Sequence, residues 1–575
     1  MRNIFLRQSP LKWEALRHDD RPLLIITGMV VGVFSGIAAF ALNRSLEFML
    51  EFFTHYRSHW WIFLLPAAGA ALSSLFLNKV IREEPGHGVP EVIKSISKYG
   101  GFLRLRSSFS RLVSSCLTIG TGGSAGPEAP VVVSGAAIGS NIARLFSFNE
   151  RQRITLVGCG AAGAISSIFN APITGLIFVM EVILGEWSTE KIVPIAVASV
   201  AGTEISRLLA GNQIAFSHHV FNLSFHDLIA CVGLALVAAF VSILMTRSLR
   251  VMHQRCEKVR LPLWVKAAIG GCVVGIFGYL LPDVLGEGYH SIRKMIEGVY
   301  TQGTLIVAIA CFAKVFATSL TLGWGGSGGI FAPSLVVGSF AGLAYNRGLS
   351  YLFPNFNLAG EGCYALLGMA GLIGGILQAP LTGIALIIEI TGGYEVIVPL
   401  IITSSLAATI CHYFEPASLY MKDLVERGQL LRPGTDARVL TDLSISELLE
   451  KDVTTVKPDM SLREFVEIVK YSHRNYYPVE NPENKYFMGM VLFDDIRPYL
   501  FDSIMYDTVF VEQIMDPSVL TVKTDDDLLK ILRIMDDNGL YSIPVVEDKR
   551  FMGMISKATI LDHYRKELLV QTTES

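Results

Sequence analysis

Gly160 to Ile183 reads GAAGAISSIFNAPITGLIFVMEVI, and Gly368 to Thr391 reads GMAGLIGGILQAPLTGIALIIEIT. The two stretches share Gly163/Gly371, Ala171/Ala379, Pro172/Pro380, Thr174/Thr382, Gly175/Gly383 and Glu181/Glu389. Just upstream, Ser124-Ala-Gly-Pro-Glu-Ala-Pro130 parallels Ser327-Gly-Gly-Ile-Phe-Ala-Pro333, and Gly135 and Gly139 match Gly338 and Gly342. The pairings run at nearly the same offset, and they preserve Gly and Pro as well as hydrophobicity. An internal duplication follows.

The repeat lies in an apolar body. Half of the 575 residues are apolar and 17% are charged, with a mean hydropathy of +0.46. Apolar stretches dominate from Leu23 to Phe414, and charged residues crowd the first twenty or so residues and everything after Glu415. Leu23 to Leu42 has the ~20-residue length that crosses a hydrocarbon core. It is too long for a signal peptide and has no small-residue cleavage site behind it. Arg2, Arg7, Lys12, Arg17 and Arg21 precede it, which predicts a cytoplasmic N-terminus. A cytoplasmic tail then requires an even number of crossings. The expected segments are a cytoplasmic N-terminus 1–22, a transmembrane domain 23–425, a linker 426–445, two tail units 446–503 and 504–569, and a short end 570–575.

The net charge of −3 and the lack of a basic block give no footprint for nucleic acid. The eight cysteines show no CxxC spacing and read as small core residues, with neither disulfides nor a metal site expected. No nucleophile–base set or phosphate loop marks the membrane body as an enzyme.

Helices interrupted by Gly and Pro at corresponding places of two halves point to a transport site. Three such segments stand out: Gly86-His87-Gly88-Val89-Pro90, Gly126-Pro127-Glu128-Ala129-Pro130 and Gly329-Ile330-Phe331-Ala332-Pro333. Each places Pro in a first helical turn, where its missing N–H is no loss. Each therefore opens a helix whose free N–H groups carry about half a positive charge. Several aimed at one point form an anion site without a full charge. No Lys or Arg lies within these segments, and partial charges bind an anion while letting it leave.

These three loops resemble the GSGIP, GREGP and GxFxP signatures of the CLC chloride channels and chloride/proton exchangers, in order and spacing. Tyr420 sits where that family places a tyrosine contacting the central anion. The resemblance covers essentially the whole chain. It implies two inverted repeats of tilted, broken helices, one pore per subunit of a homodimer in lipid, and chloride as transported ligand with no cofactor required. His87 stands where the family has Ser. It either donates an imidazole N–H to the anion or faces away and leaves binding to the backbone. Pro127 and Ala129 replace the Arg and second Gly of GREGP, whereas Glu128 resembles the gating glutamate. An intramembrane carboxylate is a functional group by default. Ionised, it occupies an anion site; protonated or displaced, it leaves.

Alignment on Phe169-Asn-Ala-Pro172 puts Val182 at the position of the exchangers' proton-relay glutamate. Valine cannot relay a proton, so a channel is expected, with the exchanger and a non-conducting sensor as rivals. Glu181 has a repeat mate in Glu389, which suggests a shared structural role.

The tail holds a second repeat. Thr455-Val-Lys457, Tyr477-Pro-Val479 and Phe487-Met-Gly-Met490 return as Thr521-Val-Lys523, Ile543-Pro-Val545 and Phe551-Met-Gly-Met554. Each unit of about sixty residues reads strand, amphipathic helix, strand, strand, helix. This α/β module resembles a CBS pair, which implies possible adenine-nucleotide binding. The ribose-contacting pattern is half kept at each site. Ser556 is followed by Thr559 where Asp is expected, and Asp495 is preceded by Leu492 where a hydroxyl belongs. Asp525, Asp526 and Asp527 are expected to charge a helix start. An inner membrane of a prokaryote is the expected location.

Overall fold

The computed structural model describes residues 20–54, 59–83, 88–211, 221, 223–426, 443, 445–472, 474–500 and 504–573. The chain divides into two compact units, Met1–Leu430 and Leu431–Ser575.

The first unit is helical. Its helices are α1 (Asp20–Thr54), α2 (Leu65–Leu75), α3 (Val89–Tyr99), α4 (Ser107–Gly120), α5 (Glu128–Leu145), α6 (Glu150–Phe169), α7 (Pro172–Phe178), α8 (Thr189–Ala210) and α9 (Phe225–Lys258). They continue with α10 (Leu263–Leu280), α11 (Tyr289–Ile296), α12 (Thr304–Gly323), α13 (Phe331–Leu352), α14 (Glu361–Leu377), α15 (Pro380–Thr391), α16 (Ile397–Phe414) and α17 (Leu419–Glu426). Among the described residues, seven helices are long and apolar enough to cross a membrane, and α14 and α15 are shorter apolar helices. The 35 residues of α1 extend the expected span at both ends, because Asn43 to Thr54 continues without a Gly or Pro to stop it.

The duplication is visible in packing. Helix α6 packs on α5, α8 and α1, while α14 packs on α13, α16 and α9. Small residues allow the close approach. A Cβ on Gly135 would stand 2.1 Å from the Gly160 carbonyl, and one on Gly338 would stand 2.5 Å from that of Gly368.

The halves meet through reciprocal contacts. Glu181, just after α7, accepts from Leu381 N–H (3.1 Å), Thr382 N–H (2.7 Å) and the Thr382 hydroxyl (2.7 Å). Glu389 accepts from Ile173 N–H (2.9 Å), Thr174 N–H (2.6 Å) and the Thr174 hydroxyl (2.6 Å). Each acid thus satisfies the orphan donors at the other half's helix start. Ser124 N–H donates to Thr321 Oγ1 and Ser327 N–H to Thr118 Oγ1 in the same crossed sense. Contacts of i with j matched by mate of j with mate of i are the mark of a local two-fold.

The second unit contains two hairpins. β1 (Tyr476–Glu480) pairs antiparallel with β2 (Phe487–Leu492), and β3 (Ser542–Glu547) pairs with β4 (Arg550–Ser556). A bulge follows Val479 in one and Val545 in the other. Amphipathic helices Leu462–Tyr471 and Leu528–Asp537 cover them, giving one apolar core around Phe465, Tyr477 and Val491 and another around Ile531, Ile543 and Ile555. The expected first strand of each unit is reduced to a single parallel bridge, Val456 with Val479 and Val522 with Val545. Pro458 ends the first of these two runs two residues past its bridge, since proline has no N–H for a ladder. Asp527 caps the second amphipathic helix by accepting from Leu529 N–H at 3.1 Å.

Candidate anion site

The sequence put three helix starts in play, and the fold brings the described parts of all three together. Gly126 N–H donates to the Gly329 carbonyl at 2.8 Å, and Gly329 N–H returns the bond at 2.7 Å. This antiparallel bridge pins the start of α5 against the start of α13. Helix α3 closes the third side: a Cβ on Gly88 would meet Val133 at 2.9 Å and the Ala129 carbonyl at 3.3 Å. Gly88 caps α3 at a φ of 79°, in the left-handed region that glycine favours. No side chain caps α3, α5 or α13 at Gly88, Pro127 or Ile330, so their first N–H groups keep their partial charge for a ligand.

Glu128 is the first residue of α5 and is 1% exposed. Its carboxylate crosses to the other repeat. Oε2 faces Ala332 N–H at 3.3 Å, and Oε1 accepts the Tyr289 hydroxyl at 2.5 Å. A carboxylate lying on the helix start of α13 stands in for an anion there. Ile330, Phe331 and Ala332 are buried around it, as is Val89 at the start of α3. Aromatic rings close the surroundings: Phe331 packs on Phe169 (5.4 Å between centroids) and Phe178 (6.1 Å). Helix α17 packs against α3 and α14, and its buried Tyr420 lies within electrostatic range of Glu128.

Gly86 and His87 lie outside the described residues. Val182 lies in a single π turn (Val179–Leu184) that packs on α3, α6 and α7. It is 2% exposed.

Two residues near the site escaped the sequence reading. Tyr289 opens α11 after Gly286-Glu-Gly288, and this Gly-x-Gly repeats Gly86-His-Gly88 two hundred positions on. The repeat was therefore legible, but Pro90 has no counterpart there, and without that marker the match is short. Arg111 of α4 is the other. It is buried and bound to Glu91 Oε2 at 2.7 Å in the first turn of α3. Its Nε and Nη1 find no partner among the described residues. A full positive charge thus stands beside the start of α3, although none lies within the three segments.

In the tail, Ser556 bonds across to the first tail unit, while Asp495 is engaged within its own. Ser556 donates to Glu450 Oε1 at 2.6 Å, and Asp495 accepts from Leu492 N–H at 2.9 Å as a helix cap. Glu450 also binds the Thr559 hydroxyl, Arg474 and the Tyr476 hydroxyl. It therefore brings a carboxylate to the place where Thr559 lacks one.

The sequence profile of the voltage gated chloride channel family matches residues 69–412, and that of the CBS domain matches 445–502 and 511–566. The H(+)/Cl(−) exchange transporter ClcA of Citrobacter koseri is 29% identical over 435 residues, covering 72% of this chain and 91% of the relative. Chloride channel protein CLC-f of Arabidopsis thaliana is 25% identical over 642 residues, covering 95% and 81%. A crystal structure of a slow cyanobacterial Cl−/H+ antiporter superposes with a TM-score of 0.65 at 23% identity, over 71% of this chain and 98% of that one. The profile match, the relatives and the fold agree with the paired helix starts at Gly126 and Gly329: the chain belongs to the CLC family, a membrane protein of anion transport that carries a C-terminal pair of CBS domains.

Proposed function

We propose that this protein is a chloride channel in which anions pass the helix starts of α3, α5 and α13, with Glu128 as the gate. The observation that carries the reading is the Glu128 carboxylate on Ala332 N–H at 3.3 Å. A group that mimics the permeant ion at a helix start blocks while ionised and yields when protonated or displaced. Gly88, Val89, Gly126, Pro127, Gly329, Ile330, Phe331, Ala332 and Tyr420 form the path's lining in this reading, with Gly86 and His87 included from the motif that Gly88 completes. Val182 supports a channel, because its side chain offers no proton-relay group.

A second reading, chloride/proton exchange, is favoured by the relatives named as exchange transporters over 72% of this chain. One experiment separates the two. Purified protein in liposomes is given an outward chloride gradient, and internal pH is recorded under a proton leak-free condition. With K+ inside and valinomycin to balance the charge, a channel yields chloride efflux without proton uptake. Sustained uphill proton movement overturns the channel reading, and absence of any chloride flux overturns both.

The protein functions in this proposal as a homodimer with one pore per subunit, in the inner membrane of a prokaryote with both termini cytoplasmic. The CBS pair modulates the gate. Adenine nucleotide at Ser556 and Asp495 would have to displace the hydrogen bonds these side chains make within the tail.

A further inference from the structure

The Glu128 carboxylate is held from two sides by chemically different donors. Ala332 N–H belongs to a helix start, and an incoming anion would use it equally well. Tyr289 is a side-chain hydroxyl directed at the other oxygen, 2.5 Å away and 161 residues distant in sequence. An O–H···O⁻ bond of this length is charge-assisted and favours the ionised, blocking form over the neutral one.

The donor is also fixed in place. Gly286 and Gly288 before it adopt φ values of 59° and 86°, which bend the chain so that α11 begins at Tyr289. Lys314 of α12 is fully buried, and its Nζ donates to the carbonyls of Val284 (2.9 Å) and Gly286 (2.8 Å). The cation thereby ties down the loop that carries the tyrosine. The Tyr289 ring meets Phe169 edge-on at 6.5 Å. A donor whose loop and ring are both held loses little entropy on bonding.

We propose that Tyr289 is a positioning residue that latches Glu128 in the blocking position, so that opening requires this hydrogen bond to break. The proposal rests on the reading of Glu128 as the gate. Other charged or titratable groups face the pair. Glu287 from the loop before α11 interacts with both members and Tyr420 of α17 with Glu128, while Lys314 of α12 and Glu47 of α1 act on Glu287, and Asp283 on Lys314. They set the background field in which the latch acts, and all remain when only the hydroxyl is removed.

Tyr289→Phe keeps the ring and deletes the donor. Chloride efflux from proteoliposomes is measured from pH 4.5 to 8.5 for the wild type, Tyr289→Phe, Glu128→Gln and the double variant. Loss of a bond to a charged group moves the half-activation pH of Tyr289→Phe upward by about one to two units. It also lowers the chloride concentration that half-opens the path by about ten-fold or more. In the Glu128→Gln background the same change leaves efflux unaltered, and efflux by the double variant shows that the chain still folds. If Glu128→Gln flattens the profile while Tyr289→Phe keeps the wild-type midpoint, the latch is overturned and the gate stands. An undiminished Tyr289→Phe shift in the Glu128→Gln background overturns the latch too. If Glu128→Gln itself keeps the wild-type profile, the gate reading fails first, and the latch falls with it.

Discussion

Gly126 and Gly329 exchange both of their backbone hydrogen bonds, at 2.8 and 2.7 Å, across the two repeats. Each lies two residues before a helix start, so the bridge sets two positive helix ends side by side. A Cβ built on Gly126 would fall 2.1 Å from Glu128 Oε2 and 3.0 Å from the Ala332 Cβ.

Glu128→Gln removes the charge that competes with the anion and keeps the side chain's volume. The expected result is chloride efflux that no longer rises with acid. The measurement is the ratio of initial rates at pH 5 and pH 7.5 in proteoliposomes. A ratio equal to that of the wild type would remove Glu128 from the gate.

Gly126→Ala reaches the same carboxylate by steric means. The closest clash, at 2.1 Å, is with the far end of a flexible side chain, so the acid moves away, and the α13 start at Ala332, 3.0–3.1 Å off, gives by a few tenths of an ångström. The acid-to-neutral ratio of efflux should shrink toward one, with the thermal midpoint near that of the wild type. An unchanged ratio would mean that the carboxylate had not been resting beside Gly126.

Glu181→Ala and Glu389→Ala each strip three hydrogen bonds from a helix start in the opposite repeat. Leaving partly buried donors unpaired costs about 1–3 kcal/mol. The two-fold relation adds a sharper expectation: the two variants lose nearly equal thermal stability in detergent, and neither loses acid activation. A large effect from one and none from the other would contradict equivalent roles.

Glu450 offers a pH test in the tail. Partial burial works to raise its carboxyl, but hydrogen bonds from Ser556, Thr559 and Tyr476 and the Arg474 charge outweigh this and hold it below the usual carboxylate range. A carboxyl lowered in the folded state adds stability that is full above its unfolded value of about 4.3 and lost as pH falls through the folded value. Glu450→Gln should therefore hasten proteolysis of the tail of the intact protein at pH 7. The gap from the wild type should close progressively below about pH 4. A gap constant across this range would mean that the Glu450 charge is not what matters.

The CLC fold and the place of its site were largely legible in residues 124–183 and their mates. Helix starts are local events, written in Gly, Pro and the apolar run that follows, and the duplication showed which of them belong together. Glu128 could be singled out because an acid at such a place is costly unless it is used. Glu181 was read as a repeat-mate of Glu389 with a structural role, yet its partners Leu381 and Thr382 could not be named, because they depend on how one half folds onto the other. The strands expected at Thr455 and Thr521 shrink to single bridges, because pairing beyond Val456 and Val522 is settled by the neighbouring strands rather than by β propensity.

By itself the sequence determined that two repeated halves each open a helix with free donors, and that one of them carries a carboxylate. Only the tertiary structure decided what surrounds that carboxylate. Tyr289 and Glu128 are 161 residues apart, and nothing local in either segment requires them to meet. Their contact exists because α11 is tied by Lys314 and the two repeats are joined at Gly126 and Gly329. Local chemistry sets where a helix begins, and packing between distant segments sets what it faces.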